Sequence, residues 1–403
     1  MSKKWMITLI FVTVLWMWIQ PMASSPVYSQ SGGHPDSQET EELIVGFRDD
    51  TSVDTAFDVH RKMGMQVVKS VRGPLRFDVV KVKGKTVEEA VQMYRRMPGV
   101  AYAEPNAVFR LQDYFPGYPV YPKDPYYITG QWGVKQVWAD IAWDKARSSS
   151  RTVVAVLDSG VDDTHSELSG KVIKGYDYVN KDTNPMDDDT QFGGHGTQMA
   201  GIIAAQTDNL SGIAGMAPYA KILAIKVCGR DGTCSIANIA QGIQYAVNHG
   251  AGVINMSFYG YQSSTTLSNA VNYAYSKGVV MVASAGNDGK NRVTWPCYYS
   301  QVVCVGATDM DDKKASFSNY GIWVDVAAPG VDIETTRRGG GYGYASGTSP
   351  AAALVSGEAA LLKAQGRSYA NVISAITKTT DAVPGMGTYW RYGRINAYRA
   401  VQY

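Results

Sequence analysis

The sequence predicts an α/β protein: a doubly wound, mostly parallel sheet with helices on both faces, preceded by a small α+β unit. Three observations carry this expectation. From residue 152 onward, short near-continuous apolar runs alternate with amphipathic helical patterns, which implies parallel strands buried on both faces. Residues 43–103 read strand–helix–strand–strand–helix–strand, the ferredoxin-like order. Between the two lies LQDYFPGYPVYPKDP, residues 111–125, whose Pro and Tyr content rules out regular structure and marks a linker.

A chain of 403 residues, 45% of them hydrophobic, has a globular composition and length for two or three domains. Its formal net charge of +2 comes with neither a basic stripe nor an acidic tail, so nucleic acid is not expected as a partner. At the N-terminus, Lys3 and Lys4 precede the apolar run Trp5–Ile19 and a stretch of small and polar residues, Ala23–Gln30. That order fits a secretory signal peptide, with cleavage before Gln30 and cleavage near Ala23 both open. The run is shorter than the ~20 residues of a membrane span, which makes a retained anchor the lesser reading. Export, and no membrane attachment after signal removal, is the expectation.

In the first unit the predicted strands are Leu43–Arg48, Gln66–Ser70, Arg76–Val82 and Val100–Ala103, and the helices Ser52–Met65 and Thr86–Met97. Thr86 and Glu89 have the spacing of a capping box. In the second, strands are expected at Thr152–Leu157, Ala220–Val227, Gly252–Met256, Val279–Ala283 and Val302–Ala307. The helices are His195–Ala205, Ser235–Asn248, Thr266–Lys277, Ser349–Gln365 and Tyr369–Thr377. The four cysteines form two close pairs, Cys228 with Cys234 and Cys297 with Cys304. An even count in an exported chain favours disulfides; three connectivities are possible and local pairing is the simplest.

Sites in such sheets gather beyond the carboxyl ends of strands. There TVVAVLDSG ends a strand in Asp158, a carboxylate that needs hydrogen-bond donors if buried. FGGHGTQMAGIIAA sets His195 at the start of a helix, whose N-terminus disfavours the cation and suits a general base. VVMVASAGNDG runs a strand into Asn287, whose amide can donate to an oxyanion. In GGYGYASGTSPAAALVSGEAALL, Ser349 stands just before a buried helix and Pro350 at its first position, where proline is tolerated. Asp, His and Ser follow one another in the order known for subtilisin.

The segments VVAVLDSGVDDTHSEL, GGHGTQMAGIIAA, GIAGMAPYAKILAIKV, GVINMSFYG, VVMVASAGNDG, ASFSNYG, VDVAAPG and YASGTSPAAALVSG resemble the subtilisin-like serine proteases, most closely the thermitase branch. The resemblance covers roughly Asp124 to the C-terminus, and residues 43–109 look like the family's inhibitor-type propeptide. It implies a signal peptide (1–29), a flexible leader (30–42), a propeptide (43–110), a linker (111–123) and a subtilisin-like peptidase domain (124–403). It also implies a monomeric, secreted endopeptidase of polypeptides, made as a zymogen that its own propeptide inhibits and that removes this segment itself. Ser349 is then the nucleophile, His195 the base, Asp158 its orienting partner and Asn287 the oxyanion donor. Ser257, Phe258 and Tyr259 would pair with an extended substrate, and Ser284, Ala285 and Gly286 would line the far side of the first specificity pocket. With no charge evident there, apolar and aromatic side chains are the expected preference.

The same resemblance implies structural Ca²⁺. Asp124, Glu167 and Asn209 would supply side-chain oxygens, with carbonyls from Gln206, Ser211 and Ile213. A second site would involve Asp177 and Asp182. The acidic stretch Asp187–Asp189 reads as a solvated loop. Four departures stand out: Pro350 and Ala353 replace the usual Met and Pro, Gln198 replaces a second His, and Tyr259 stands where glycine is usual. A catalytically impaired, peptide-binding member of the family is the alternative that Pro350 and Ala353 raise.

Overall fold

The computed structural model describes residues 41–72, 76–106 and 121–403. The expected signal peptide, and most of the leader and linker, lie outside the described residues. The chain falls into two compact units separated at Tyr114–Phe115.

The first unit has the expected order: β1 (Glu42–Phe47), α1 (Val53–Met63), β2 (Gln66–Val71), β3 (Phe77–Lys81), α2 (Val87–Tyr94) and β4 (Val100–Pro105). Its antiparallel sheet runs β2-β3-β1-β4. Leu43, Val45, Val80, Ala90 and Tyr94 form a small core between sheet and helices. The capping box is formed: Thr86 Oγ1 accepts from Glu89 N (3.2 Å), and Glu89 Oε2 accepts from Thr86 N (3.0 Å).

The second unit opens with three short helices, α3 (Pro125–Thr129), α4 (Trp132–Gln136) and α5 (Ala139–Lys145). There follow β5 (Val153–Asp158), β6 (Val172–Asp177), α6 (His195–Ala204), β7 (Lys221–Lys226), α7 (Ile236–Asn248), β8 (Val253–Met256) and α8 (Thr265–Ser276). Then come β9 (Val280–Ser284), β10 (Val302–Thr308), β11 (Val326–Pro329) and the hairpin β12 (Ile333–Thr336)–β13 (Tyr342–Ala345). The last elements are α9 (Thr348–Ala364), α10 (Tyr369–Lys378) and α11 (Ala397–Gln402).

Seven strands form one sheet in the order β11-β10-β9-β8-β5-β7-β6, and its strand pairings are parallel. Alternate residues face opposite layers. Val154 and Val156 pack with α6 and α9, while Ala155 and Leu157 pack with α7 and α8. The chain leaves β5 to one side through β6 and β7, then crosses to the other side at β8. The carboxyl ends of β5 and β8 therefore flank a topological switch, where a crevice opens.

One boundary differs from the expectation. α9 begins at Thr348, with Gly347 as N-cap, so Ser349 is the second helical residue and Pro350 the third. The first four N–H groups of a helix have no intrahelical partner, so proline fits anywhere in that turn. Both disulfides join the near neighbours, Cys228–Cys234 and Cys297–Cys304.

Candidate active site

Asp158 ends β5 with its side chain buried, and its Oδ1 accepts from Ser159 N (2.7 Å) and from His195 Nδ1 (2.8 Å). Its Oδ2 is buried without a hydrogen-bond partner among the described residues. His195 can stand this close because α6 presses against the turn after β5. A Cβ at Gly196 would lie 2.1 Å from Gly160 O, a gap that only glycine permits.

The N-cap of α6, Gly194, has no side chain to offer the free N–H groups of the first turn. Asp189 meets this need from the preceding loop. Its Oδ2 accepts from Phe192 N (3.1 Å), Gly194 N (3.0 Å) and His195 N (3.1 Å), and its Oδ1 from Gln191 N (2.9 Å). Asp187 accepts from Thr197 N (2.9 Å), Thr197 Oγ1 (2.6 Å) and Ser159 Oγ (2.9 Å), tying α6 to the end of β5. Both carboxylates are buried, so the solvated-loop reading of Asp187–Asp189 holds only for Asp188, which pairs with buried Lys226 (2.6 Å). Burial pushes the His195 pKa down, but Asp158, Asp187 and Asp189 outweigh it, and the net position is above the ordinary imidazole value. The three carboxylates thus overturn the expectation that the helix N-terminus alone keeps His195 neutral.

Ser349 sits in the first turn of α9. Its Oγ donates to Ser257 O (3.2 Å), and Ser257 Oγ donates to Ser349 O (3.3 Å), which pins α9 to the end of β8. Asn287, just past β9, accepts at Oδ1 from Thr348 N and from Thr348 Oγ1, both at 2.8 Å. With Oδ1 so held, Nδ2 has no acceptor among the described residues. Thr348, which sequence reasoning passed over, is what orients this amide; its place at a helix start next to Ser349 was the available signal. Asp158, His195, Asn287 and Ser349 line one cleft of about 760 Å³, together with Ser257, Phe258 and Tyr259.

A family model described as the Subtilase family, Peptidase_S8, matches residues 149–389. The chain belongs to the subtilase family. The fervidolysin N-terminal prodomain matches residues 39–106 of this subtilase. A thermophilic serine proteinase of Bacillus sp. (strain AK1) is 46% identical over 363 residues, 90% of this chain and 87% of its own length. Thermitase of Thermoactinomyces vulgaris is 47% identical over 282 residues, 70% of this chain and 99% of its own length. Among solved structures, a protease of Pseudoalteromonas arctica superposes with a TM-score of 0.64 at 32% identity, covering 70% of this chain and 99% of its own. The subtilase is a subtilisin-type serine endopeptidase near the thermitase branch, and it carries a prodomain.

Other expected site residues divide into those on the cleft and those behind it. Ser284, Ala285 and Gly286 of the subtilase are buried and do not line the cleft. At the expected ion site, the Asp124 and Glu167 side chains are wholly buried and pair with no Lys, Arg or His among the described residues. Asp124 accepts from Asp208 N (2.7 Å) and Asn209 N (3.1 Å), and Glu167 from Tyr342 OH (2.7 Å) and Asn209 Nδ2 (3.2 Å). Burial pushes both pKa values up, and the Asp124 charge adds to the rise at Glu167. Two buried carboxylates without a counter-ion, beside an amide and loop carbonyls, make a donor set that fits a hard cation. Asp177 is also buried and its oxygens accept from Val179 N, Asn180 N and Asn180 Nδ2, each at 2.8 Å, but its expected companion Asp182 is exposed. Asp182 Oδ1 likewise accepts from Asn184 N (2.8 Å). That loop therefore brings one buried carboxylate and one solvated one, not the two buried carboxylates found at Asp124 and Glu167.

Proposed function

We propose that this subtilase hydrolyses peptide bonds through an acyl-enzyme, with Ser349 as nucleophile, His195 as base and then acid, and Asp158 as the group that orients the imidazolium. The observation that carries the reading is the 2.8 Å bond from His195 Nδ1 to Asp158, with Ser349 and the Asn287 amide on the same cleft. That bond fixes the tautomer that leaves Nε2 free to take a proton. The Ser349 hydroxyl turns from Ser257 O to His195 Nε2, gives up its proton there and attacks the substrate carbonyl. The tetrahedral oxyanion lies against Asn287 Nδ2 and the Ser349 N–H at the start of α9, whose helix dipole favours negative charge. His195 returns the proton to the leaving amine, and water repeats the sequence to free the acid. The raised His195 pKa suits this cycle, because the imidazolium is stabilised while it holds the proton. Ser257 and Phe258, past the end of β8, offer backbone to an extended substrate as an added strand.

The domain order supports synthesis as an exported zymogen: signal (1–29), leader (30–42), inhibitory propeptide (43–110), linker (111–123) and peptidase (124–403). The disulfide bonds accord with an oxidising compartment outside the cytosol. Asp124, Glu167, Asn209 and the carbonyls of Gln206, Ser211 and Ile213 would hold a structural Ca²⁺. That ion would neutralise buried charge and tie the start of the peptidase domain to the 206–213 loop.

Intact mass of the protein and of Ser349→Ala, each expressed from residue 30, tests the reading. A wild type shortened to begin within 111–122, beside a full-length variant, is the expected result. In subtilisin the loss of such a nucleophile costs about 10⁶ in kcat, and a loss of that order here leaves the variant unable to process itself. Two full-length products would overturn self-processing.

A further inference from the structure

Gly286 lies one residue before Asn287, at the end of β9 where a substrate side chain was expected to settle. It is not open. A Cβ placed on Gly286 would stand 2.5 Å from Asn319 Nδ2, 3.0 Å from Tyr259 Cδ2 and 3.1 Å from Cε2, so the Asn319 amide and one edge of the Tyr259 ring close off this position. Tyr259 lines the cleft, whereas Ser284, Ala285 and Gly286 do not.

The ring is buttressed. Tyr259 meets Tyr261 edge-on, with centroids 6.0 Å apart. Tyr261 donates its hydroxyl to Asp288, and the Arg292 guanidinium stacks 3.7 Å above the Tyr261 ring. Asp288 accepts in turn from Asn319 Nδ2 (3.2 Å), which also donates to Ala285 O (3.1 Å). The Tyr259 hydroxyl faces the same carboxylate, and burial pushes its pKa up. An aromatic side chain braced on both sides is a wall rather than a loose cover.

We infer that Tyr259 sets the side-chain preference of this protease: its ring occupies the recess above Gly286, so the residue supplying the attacked carbonyl must be small, such as alanine, glycine or serine. The inference rests on the proposed roles of Ser349 and Asn287. With the carbonyl carbon at Ser349 Oγ and its oxygen at Asn287 Nδ2, the side chain on the adjoining Cα is directed beside Gly286, the residue before Asn287, and so towards the Tyr259 ring edge. A methyl or hydroxymethyl group stops short of the ring. A benzyl or isobutyl group needs the volume that Tyr259 already fills, and its apolar area would stay in water instead of being buried. This reverses the apolar and aromatic preference expected from the absence of charge.

The test compares kcat/KM for two peptide anilides that differ only in alanine or phenylalanine before the cleaved bond. The matured wild type, Tyr259→Phe and Tyr259→Gly are assayed side by side. The wild type should favour alanine by about tenfold or more, a ratio within reach of pocket discrimination. Tyr259→Phe should keep the ratio, since the ring is what matters, and Tyr259→Gly should turn it towards phenylalanine. A wild type that cleaves the phenylalanine peptide as well as the alanine one would overturn the inference, whether or not Tyr259→Gly folds. So would an unchanged ratio in a folded Tyr259→Gly. Failure to cleave either peptide, with Ser349 left unlabelled by a fluorophosphonate, would instead remove the triad reading, and the inference with it.

Discussion

At position 189 one carboxylate accepts from four backbone N–H groups and caps the helix that carries His195. Such an oxygen does two things: it fixes the turn, and it adds negative charge beside the imidazole. Asp189→Asn keeps acceptor oxygen but removes the charge. The His195 pKa should then fall, and the acid limb of the kcat/KM profile should move to lower pH. Proton NMR titration of His195 in a Ser349→Ala background reads this directly; an unmoved midpoint would confine Asp189 to a capping role. Asp189→Ala should in addition cost about 0.5–2 kcal/mol of stability, as for other lost caps. Asp158, His195, Asn287 and Ser349 were legible because each ends a strand or starts a helix on one expected rim. Asp187, Asp189 and Thr348 were not. Their burial is made tolerable by backbone donors that assemble only when the Gly193–Gly194 turn and the start of α9 fold.

Among the elements, α9 departs furthest from an ordinary buried helix. Its residues Thr348–Leu362 are all buried, and among them stands Glu358, whose two carboxylate oxygens have no hydrogen-bond partner among the described residues. Burial pushes its pKa up to about 8, far above the usual glutamate value of about 4.3. The sign follows from linkage. In the unfolded chain Glu358 loses its proton above its ordinary pKa, while the folded chain keeps that proton until about pH 8, so stability falls as pH rises across that interval. Glu358→Leu should therefore stabilise the fold little at about pH 4 and by several kcal/mol, on the order of 5, at about pH 9. Denaturant titration of both proteins in the Ser349→Ala background, which avoids self-digestion, measures it. A gain independent of pH would show that Glu358 is not ionising. Helices α7 and α8 and strands β5, β7, β8, β9 and β10 were readable from periodicity to within a residue or two. The four-residue β11, the polar hairpin β12–β13 and the short helices α3–α5 were not. Elements of one turn or four residues carry too little pattern, and tertiary packing decides them.

For the molecule as a whole, the division into a small antiparallel unit and a large parallel one was written in the order of apolar runs and in the Pro- and Tyr-rich stretch between them. Less visible was how the start of the peptidase unit is secured. Asp124 lies beside the 208–209 backbone, 84 and 85 residues further along the chain, and close to Glu167. A cation held there, as proposed, would bind the folded chain alone and stabilise it by mass action, by about 2.7 kcal/mol at a hundredfold excess over Kd. Chelation should therefore lower the Tm of the Ser349→Ala protein and leave an Asp124→Ala, Glu167→Ala variant unmoved. Differential scanning calorimetry with and without chelator decides, and an unchanged wild-type curve would count against the ion.

The Cys228–Cys234 bridge has a consequence beyond its modest effect on stability. Both cysteines, with Gly232 and Thr233 between them, stand on the wall of the cleft. A short loop closed in this way has little conformational freedom left to lose when a peptide arrives. Part of the ordering entropy of association is thus met during oxidative folding, once, and not again at each turnover. The bridge makes that wall a preorganised surface, and reducing it should raise KM for peptides more than it lowers kcat.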